Sequence, residues 1–144
     1  MSSIDERFSA ALHGSARQWR LLIDRRLKDL GVSQAGWMTI TMAAKAKEPL
    51  SQSELAAAVG VEGATMVAML DRLAKAGLIE RVPSETDRRV KRVTVTPAGM
   101  ALYQEVRKEA NAVRKELLAG IDPSVLLAAT ELLETLNTRI DEAE

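Results

Sequence analysis

The sequence has no cysteine and one histidine, His13, in 144 residues. A disulfide framework, a thiol redox sensor and a cysteine metal site are therefore excluded, and one imidazole builds no histidine cluster. His13 reads as a structural or surface residue. Aromatic residues make up 3% of the chain, which argues against a deep stacking pocket. No apolar run approaches the ~18 residues of a transmembrane span. The opening stretch, MSSIDERFSA, is polar and acidic, unlike a signal peptide. These absences predict a soluble cytoplasmic protein. A glycine-rich phosphate loop and a nucleophile–base motif are also missing. Glu80, Glu85 and Asp87 lie among cations and read as ion-pair partners, not paired catalytic acids. The expectation is a protein that is not an enzyme and holds no cofactor or metal.

Neither sign of charge is in excess, with 20 Lys and Arg against 20 Asp and Glu. The charges are unevenly placed, however. Residues 1–96 carry a net +4 and residues 97–144 a net −4, so a basic patch is hidden in a neutral total. Four cations fall within the six residues Asp87–Arg92.

Apolar residues recur at three- and four-residue steps through Ile4, Phe8, Leu12, Trp19, Ile23, Leu27 and Leu30. That spacing predicts an amphipathic helix of about seven turns ending at Gly31. A second helix fits Gln34 to Lys47, stopped ahead of Pro49. Ser51-Gln52-Ser53-Glu54 reads as a capping box that opens a short helix, broken at Gly60. A further helix runs from near Glu62 to Ala76, striped by Met66, Val67, Leu70, Leu73 and Ala74. Leu78–Val82 and Arg89–Val95 read as strands joined by a turn at Pro83–Thr86. Thr96-Pro97 caps and opens a helix striped by Tyr103, Val106, Val113 and Leu117. Asp122-Pro123 opens the last, striped by Leu126, Leu133, Leu136 and Ile140.

The fold class is mainly α with a small β-hairpin: a winged helix-turn-helix over residues 34–96, flanked by helical segments 1–33 and 97–144. The flanking helices exceed what a winged helix needs to cover its core. Their remaining apolar positions, Phe8, Leu12, Leu117, Leu126, Leu133, Leu136 and Ile140, are satisfied by a second copy of the chain or by an intramolecular bundle. Within the helix-turn-helix, small Ala56 permits close approach, Gly60 the tight turn, and Val61 and Met66 plug the corner. The second helix is then free to enter a major groove by its N-terminal residues, where Gly63, Ala64, Thr65, Ala68 and Met69 read as exposed. Such motifs also occur in proteins that bind no DNA. The hairpin favours DNA, because Arg88, Arg89, Lys91 and Arg92 lie at or beside its tip. Arginine on a thin projection reaches the negative potential of a narrow minor groove. Asp87 either caps the turn or pairs with an arginine to fix its direction.

Asp87-Arg88-Arg89, the spacing to Val95-Thr96, and Gly99 resemble the D-R-R…L-T-x-x-G wing pattern of the MarR family of bacterial transcription regulators, with valine in place of leucine. GLIER, Gly77–Arg81, resembles the stretch leading into that wing, and QWRLLIDRRL, Gln18–Leu27, with Trp37 resembles the N-terminal region of the SlyA-like branch. The likeness spans nearly the whole chain. It implies a homodimer with the terminal helices at its interface and two winged helices on a pseudo-palindromic duplex, commonly acting as a repressor. By the same resemblance Ser53, Gly63, Ala64, Thr65, Ala68, Arg72, Arg88, Arg89 and Lys91 contact DNA, with Arg89 inserted in the minor groove. A small phenolic or anionic effector is implied in a cleft between the dimerisation and DNA-binding parts, with Arg17, Arg20, Trp37 and Thr41 as its lining. The expected partners are double-stranded DNA, a second copy and this effector, with no membrane.

The recognition helix departs from its relatives, which often carry arginine where Ala68 stands. Thr65, contact of Ala64 or Ala68 with thymine methyls, and backbone amides remain. Reading by shape and wing, an A·T-rich site, or weak DNA binding are the options this leaves. The same apolar residues support the rival reading, a winged-helix protein-interaction module, for which the wing cations have no use. Trp37 fits a core position as readily as a ligand wall.

Overall fold

The structure, a computed structural model, describes residues 1–143. Glu144, the last residue of the flanking range 97–144, lies outside the described residues. The elements in order are α1 (Ile4–Arg26), a 3₁₀ turn (Lys28–Leu30), α2 (Gln34–Lys45), β1 (Leu50–Ser51), α3 (Gln52–Val59), α4 (Gly63–Lys75), β2 (Ile79–Pro83), β3 (Lys91–Val95), α5 (Pro97–Leu118) and α6 (Pro123–Ala143). No single helix among them is long and apolar enough to cross a membrane. The chain divides into two compact units, residues 1–113 and the segment from Arg114 onward.

In the first unit, local chemistry sets the element ends. Ser3 and Ser33 accept amide hydrogen bonds at the N-termini of α1 and α2. Ser51 and Glu54 form the expected capping box on α3, each side chain bonded to the other's amide. Thr96 Oγ1 accepts the Gly99 amide at 3.1 Å and donates to the Gly77 carbonyl at 2.6 Å, tying the start of α5 to the end of α4. The first helix stops earlier than its apolar spacing predicts. The Leu27 amide is shared between the Ile23 and Asp24 carbonyls at 3.0 and 3.1 Å, which tightens the chain into the 3₁₀ turn before Gly31.

The sheet is antiparallel in the order β1-β3-β2. β1 has no counterpart among the elements the sequence predicts. It pairs Leu50 with Val93 and Ser51 with Arg92, so the wing hairpin is extended to three strands across its base. The connection between β2 and β3 is also longer than a four-residue turn, running from Ser84 to Val90.

Two clusters form the interior of this unit. Ile40, Leu55, Met66 and Leu70, with Ile79 and Val93 of the sheet, close the winged helix. Ile23, Leu27, Trp37, Val106 and Val113 join α1, α2 and α5. α2 serves both, because Trp37 and Ile40 fall on different sides of the helix. The Trp37 indole N–H donates to the Asp24 carboxylate at 3.0 Å, which satisfies the one polar atom of a buried ring.

The second unit holds the last turn of α5 and α6. Asp122 caps α6 by accepting the amide and hydroxyl of Ser124, each at 2.8 Å. Those bonds hold its carboxyl below the ordinary carboxylate range, the hydroxyl more than the amide. No described residue of α6 is buried. Leu126, Leu133 and Ile140, seven residues apart, are exposed along one line of the helix, and Leu136 is half-buried.

Candidate nucleic-acid interface

α3 and α4 meet at 106°, within the range of helix-turn-helix pairs. Gly60 makes the turn in the left-handed conformation, φ 82°, and the amides of Gly60 and Val61 both donate to the Ala56 carbonyl. α4 then divides into two faces. Met66, Met69, Leu70 and Leu73 are buried. Gly63, Ala64, Thr65, Val67, Ala68, Asp71 and Arg72 are exposed on the other side. Two residues change sides relative to the sequence reading. Met69 is buried at 5% exposure and Val67 is exposed at 42%. The stripe that packs against the core runs 66, 69, 70, 73, and Val67 lies off it. Ser53 is exposed on the first turn of α3.

The wing loop is closed by the Ser84 amide on the Val90 carbonyl at 2.8 Å and the Val90 amide on the Asp87 carbonyl at 3.0 Å. Asp87 plays both parts the sequence allows. Its Oδ1 accepts the Arg89 amide at 3.0 Å and Arg89 Nε at 3.2 Å, and its Oδ2 accepts Nη2 at 3.4 Å. The Arg89 side chain, and after it the Arg89 amide, holds the Asp87 carboxyl below its ordinary range. Arg89 remains 91% exposed while held in this direction. Arg88 and Lys91 are exposed beside it.

Arg92 is not a tip residue. It lies within β3, between Val82 and Ser51. Its guanidinium donates to the Pro49 carbonyl at 3.0 Å, to Glu54 Oε1 at 3.3 Å and to Ser84 Oγ at 3.4 Å. One side chain thus joins the wing to the capping box of α3. Glu54 is held ionised first by the Ser51 amide and hydroxyl, and further by Arg92. Arg81 of β2 does the same for α4, bonding the Asp71 carboxylate and the Val67 carbonyl. Sequence reasoning counted charge at the tip and missed these two struts. The signal was present in the alternation of β3, which puts Lys91 and Arg92 on opposite faces.

The four residues expected at an effector lie on α1 and α2. Arg17 and Arg20 are exposed on α1, Trp37 is 6% exposed in the core, and the half-buried Thr41 donates its hydroxyl to the Trp37 carbonyl at 2.8 Å. A cavity of about 390 Å³ opens between the start of α2 and the last turns of α4, and none of these four lines it. Its walls are mostly apolar, with Val32, Met69, Leu73 and Leu102 among them, and Arg72 supplies the cation. Arg72, expected at DNA, therefore reaches this cavity as well.

This architecture has close counterparts. The model of the MarR family matches residues 38–91, the helix-turn-helix and the wing loop. The transcriptional regulator PA3341 is 36% identical with a TM-score of 0.88, over 94% of this chain and 98% of that one. A MarR-family transcriptional regulator from Silicibacter pomeroyi is 26% identical, TM-score 0.79, over 96% and 92%. CouR from Rhodococcus jostii RHA1, solved bound to p-coumaroyl-CoA, shares the fold at 20% identity, TM-score 0.81, over 94% and 95%. With the family model matched over the helix-turn-helix and the wing loop, and a transcriptional regulator 36% identical over nearly its full length, the chain belongs to the MarR family.

Proposed function

We propose that the chain is a homodimeric, sequence-specific DNA-binding regulator, a repressor of the SlyA-like kind, whose affinity for DNA a small molecule adjusts. The observation that carries this reading is the wing. Arg88 and Arg89 stand exposed on a loop braced by Asp87, with exposed Lys91 at the start of β3, beside a helix-turn-helix whose second helix presents a free face. α4 lies in the major groove, Arg89 enters the adjacent minor groove, and Ser53, Thr65 and Arg72 lie along the same surface. Two such modules on a pseudo-palindrome stand one helical turn of B-DNA apart, ~34 Å. Residues 1–33 and 97–144 supply the dimer contacts. The apolar side chains exposed there, Phe8, Leu117, Leu126, Leu133 and Ile140, support a second copy as their cover.

The effector reading rests on the cavity beside Arg72. An apolar wall with one cation suits an aromatic or acyl carboxylate, and the acyl-CoA bound by CouR supports ligand responsiveness on this fold. Arg17 and Arg20 serve as an outer site for the same kind of anion. Enrichment of duplexes from a random pool, at two salt concentrations, tests the core of the proposal. A palindrome with half-sites about ten base pairs apart is the expected product. Retention without a consensus, lost at the higher salt, would reduce the protein to an electrostatic binder. For the effector, melting temperatures against a panel of aromatic carboxylates should rise with concentration for a true ligand.

A further inference from the structure

The exposed face of the first two turns of α4 consists of Gly63, Ala64, Thr65, Val67 and Ala68. A side-chain hydrogen bond to a base edge needs a donor or acceptor there, and only Thr65 has one. Of the polar residues that follow, Asp71 is bonded to Arg81, and Arg72 stands beyond the first two turns, exposed at the mouth of the cavity. Glu62, at the N-cap, makes no capping bond and offers only a carboxylate acceptor, which suits the amino group of cytosine and nothing on thymine. What the face presents in quantity is methyl groups. In the major groove the one base that presents a methyl is thymine, at C5.

Resting on the DNA-binding reading above, we propose that α4 identifies its operator through contact of Ala64, Val67 and Ala68 with thymine C5-methyl groups, so that the ligand is a duplex with thymines clustered in each half-site. Charge selects DNA as the occupant of this apolar face. Arg88, Arg89 and Lys91 stand exposed on the same unit and complement phosphate, while an apolar protein partner gains nothing from them. Val67 is the central residue. Its side chain is β-branched and stiff, 42% exposed, and has no part in the core, its carbonyl alone being bonded to Arg81.

The test uses the full-length protein and a duplex it enriches from a random pool. Each thymine is replaced in turn by deoxyuridine, which pairs identically and lacks only the methyl. At the thymines under α4, affinity should fall about fourfold per methyl, the value of one buried methylene at 1.4 kcal/mol per factor of ten. Thymines outside that footprint should be indifferent. Val67→Ala should abolish the uracil effect at one thymine of each half-site without lowering the melting temperature, and Val67→Thr, which keeps one methyl and the branched shape, should retain part of it. A uracil-tolerant operator, or a uracil effect unchanged in Val67→Ala, overturns methyl reading and leaves DNA binding standing. Failure to retain any duplex overturns the DNA-binding reading, and methyl reading with it.

Discussion

Gly99 lies in the first turn of α5 with the backbone of Leu78 against it. A Cβ built there would stand 2.1 Å from the Leu78 carbonyl oxygen and 2.6 Å from Val95 Cγ1. Ordinary carbon–oxygen contacts are roughly 3.3–3.6 Å, so Gly99→Ala must move backbone by about an ångström. That backbone is fixed from both sides. The Leu78 amide donates to the Leu73 carbonyl at 2.9 Å, and the Leu78 carbonyl accepts the Thr96 amide at 3.1 Å. Overpacking of this kind costs ~1–3 kcal/mol, and loss of the Thr96–Leu78 hydrogen bond about 1 more. The expected destabilisation is about 2–4 kcal/mol, a fall in Tm of roughly 5–15 °C for a domain of this size. Calorimetric melts at one fixed protein concentration read it directly. Gly63→Ala is the matched control. Nothing lies within 4 Å of its Cβ, so alanine there should leave Tm level or raise stability by ~0.4–1 kcal/mol. If Gly99→Ala melts with the wild type, the close approach of α5 to the wing base is not what fixes this corner.

Arg89→Ala should weaken binding of the enriched duplex while leaving the dimer and its melting unchanged; equal affinity by fluorescence anisotropy would remove the wing from the interface. Arg92→Ala should weaken binding without flattening its salt dependence, because Arg92 is tied to Pro49 and Glu54; a slope lowered by about 0.9 per protomer would show a phosphate contact instead. Leu133→Asp should dissociate the proposed dimer in sedimentation, and an undisturbed dimer would move the interface elsewhere. Asp87 has its folded pKa below the ordinary 3.8, so its pair with Arg89 is fully present above that value and lost as pH falls through the lowered one. An NMR titration of Asp87 with a midpoint above 3.8 would contradict the geometry of the loop.

The parts of the fold legible in the sequence are those fixed by neighbours along the chain. Ser51 and Glu54, Gly60, Thr96-Pro97 and Asp122-Pro123 each set an element end through contacts four or fewer residues away, and each lies where the spacing predicts. β1 escaped because two residues show no alternation; it exists only through pairing with a strand some forty residues later. The sides taken by Val67 and Met69 were misread for a similar reason. Both are apolar and adjacent to the stripe, and only the packing of α2 and the sheet decides which turns inward. At the site, the charge of the wing was legible, while the division of labour among its arginines was not. Arg89 points along the loop and Arg92 into the body because Glu54 and Pro49 lie across from one and not the other.

The two faces of α4 have consequences for how such a protein changes over time. Met66, Met69, Leu70 and Leu73 hold the fold, while positions 64, 67 and 68 hold nothing in place. Substitutions at these three sites alter what the helix meets in solution and leave the interior as it was. On the DNA-binding reading proposed above, a lineage carrying this helix would exchange one target sequence for another by single steps, each neutral for folding, with the arginine wing maintaining adhesion during the transition. The same property makes the three positions a compact library for retargeting the scaffold by design.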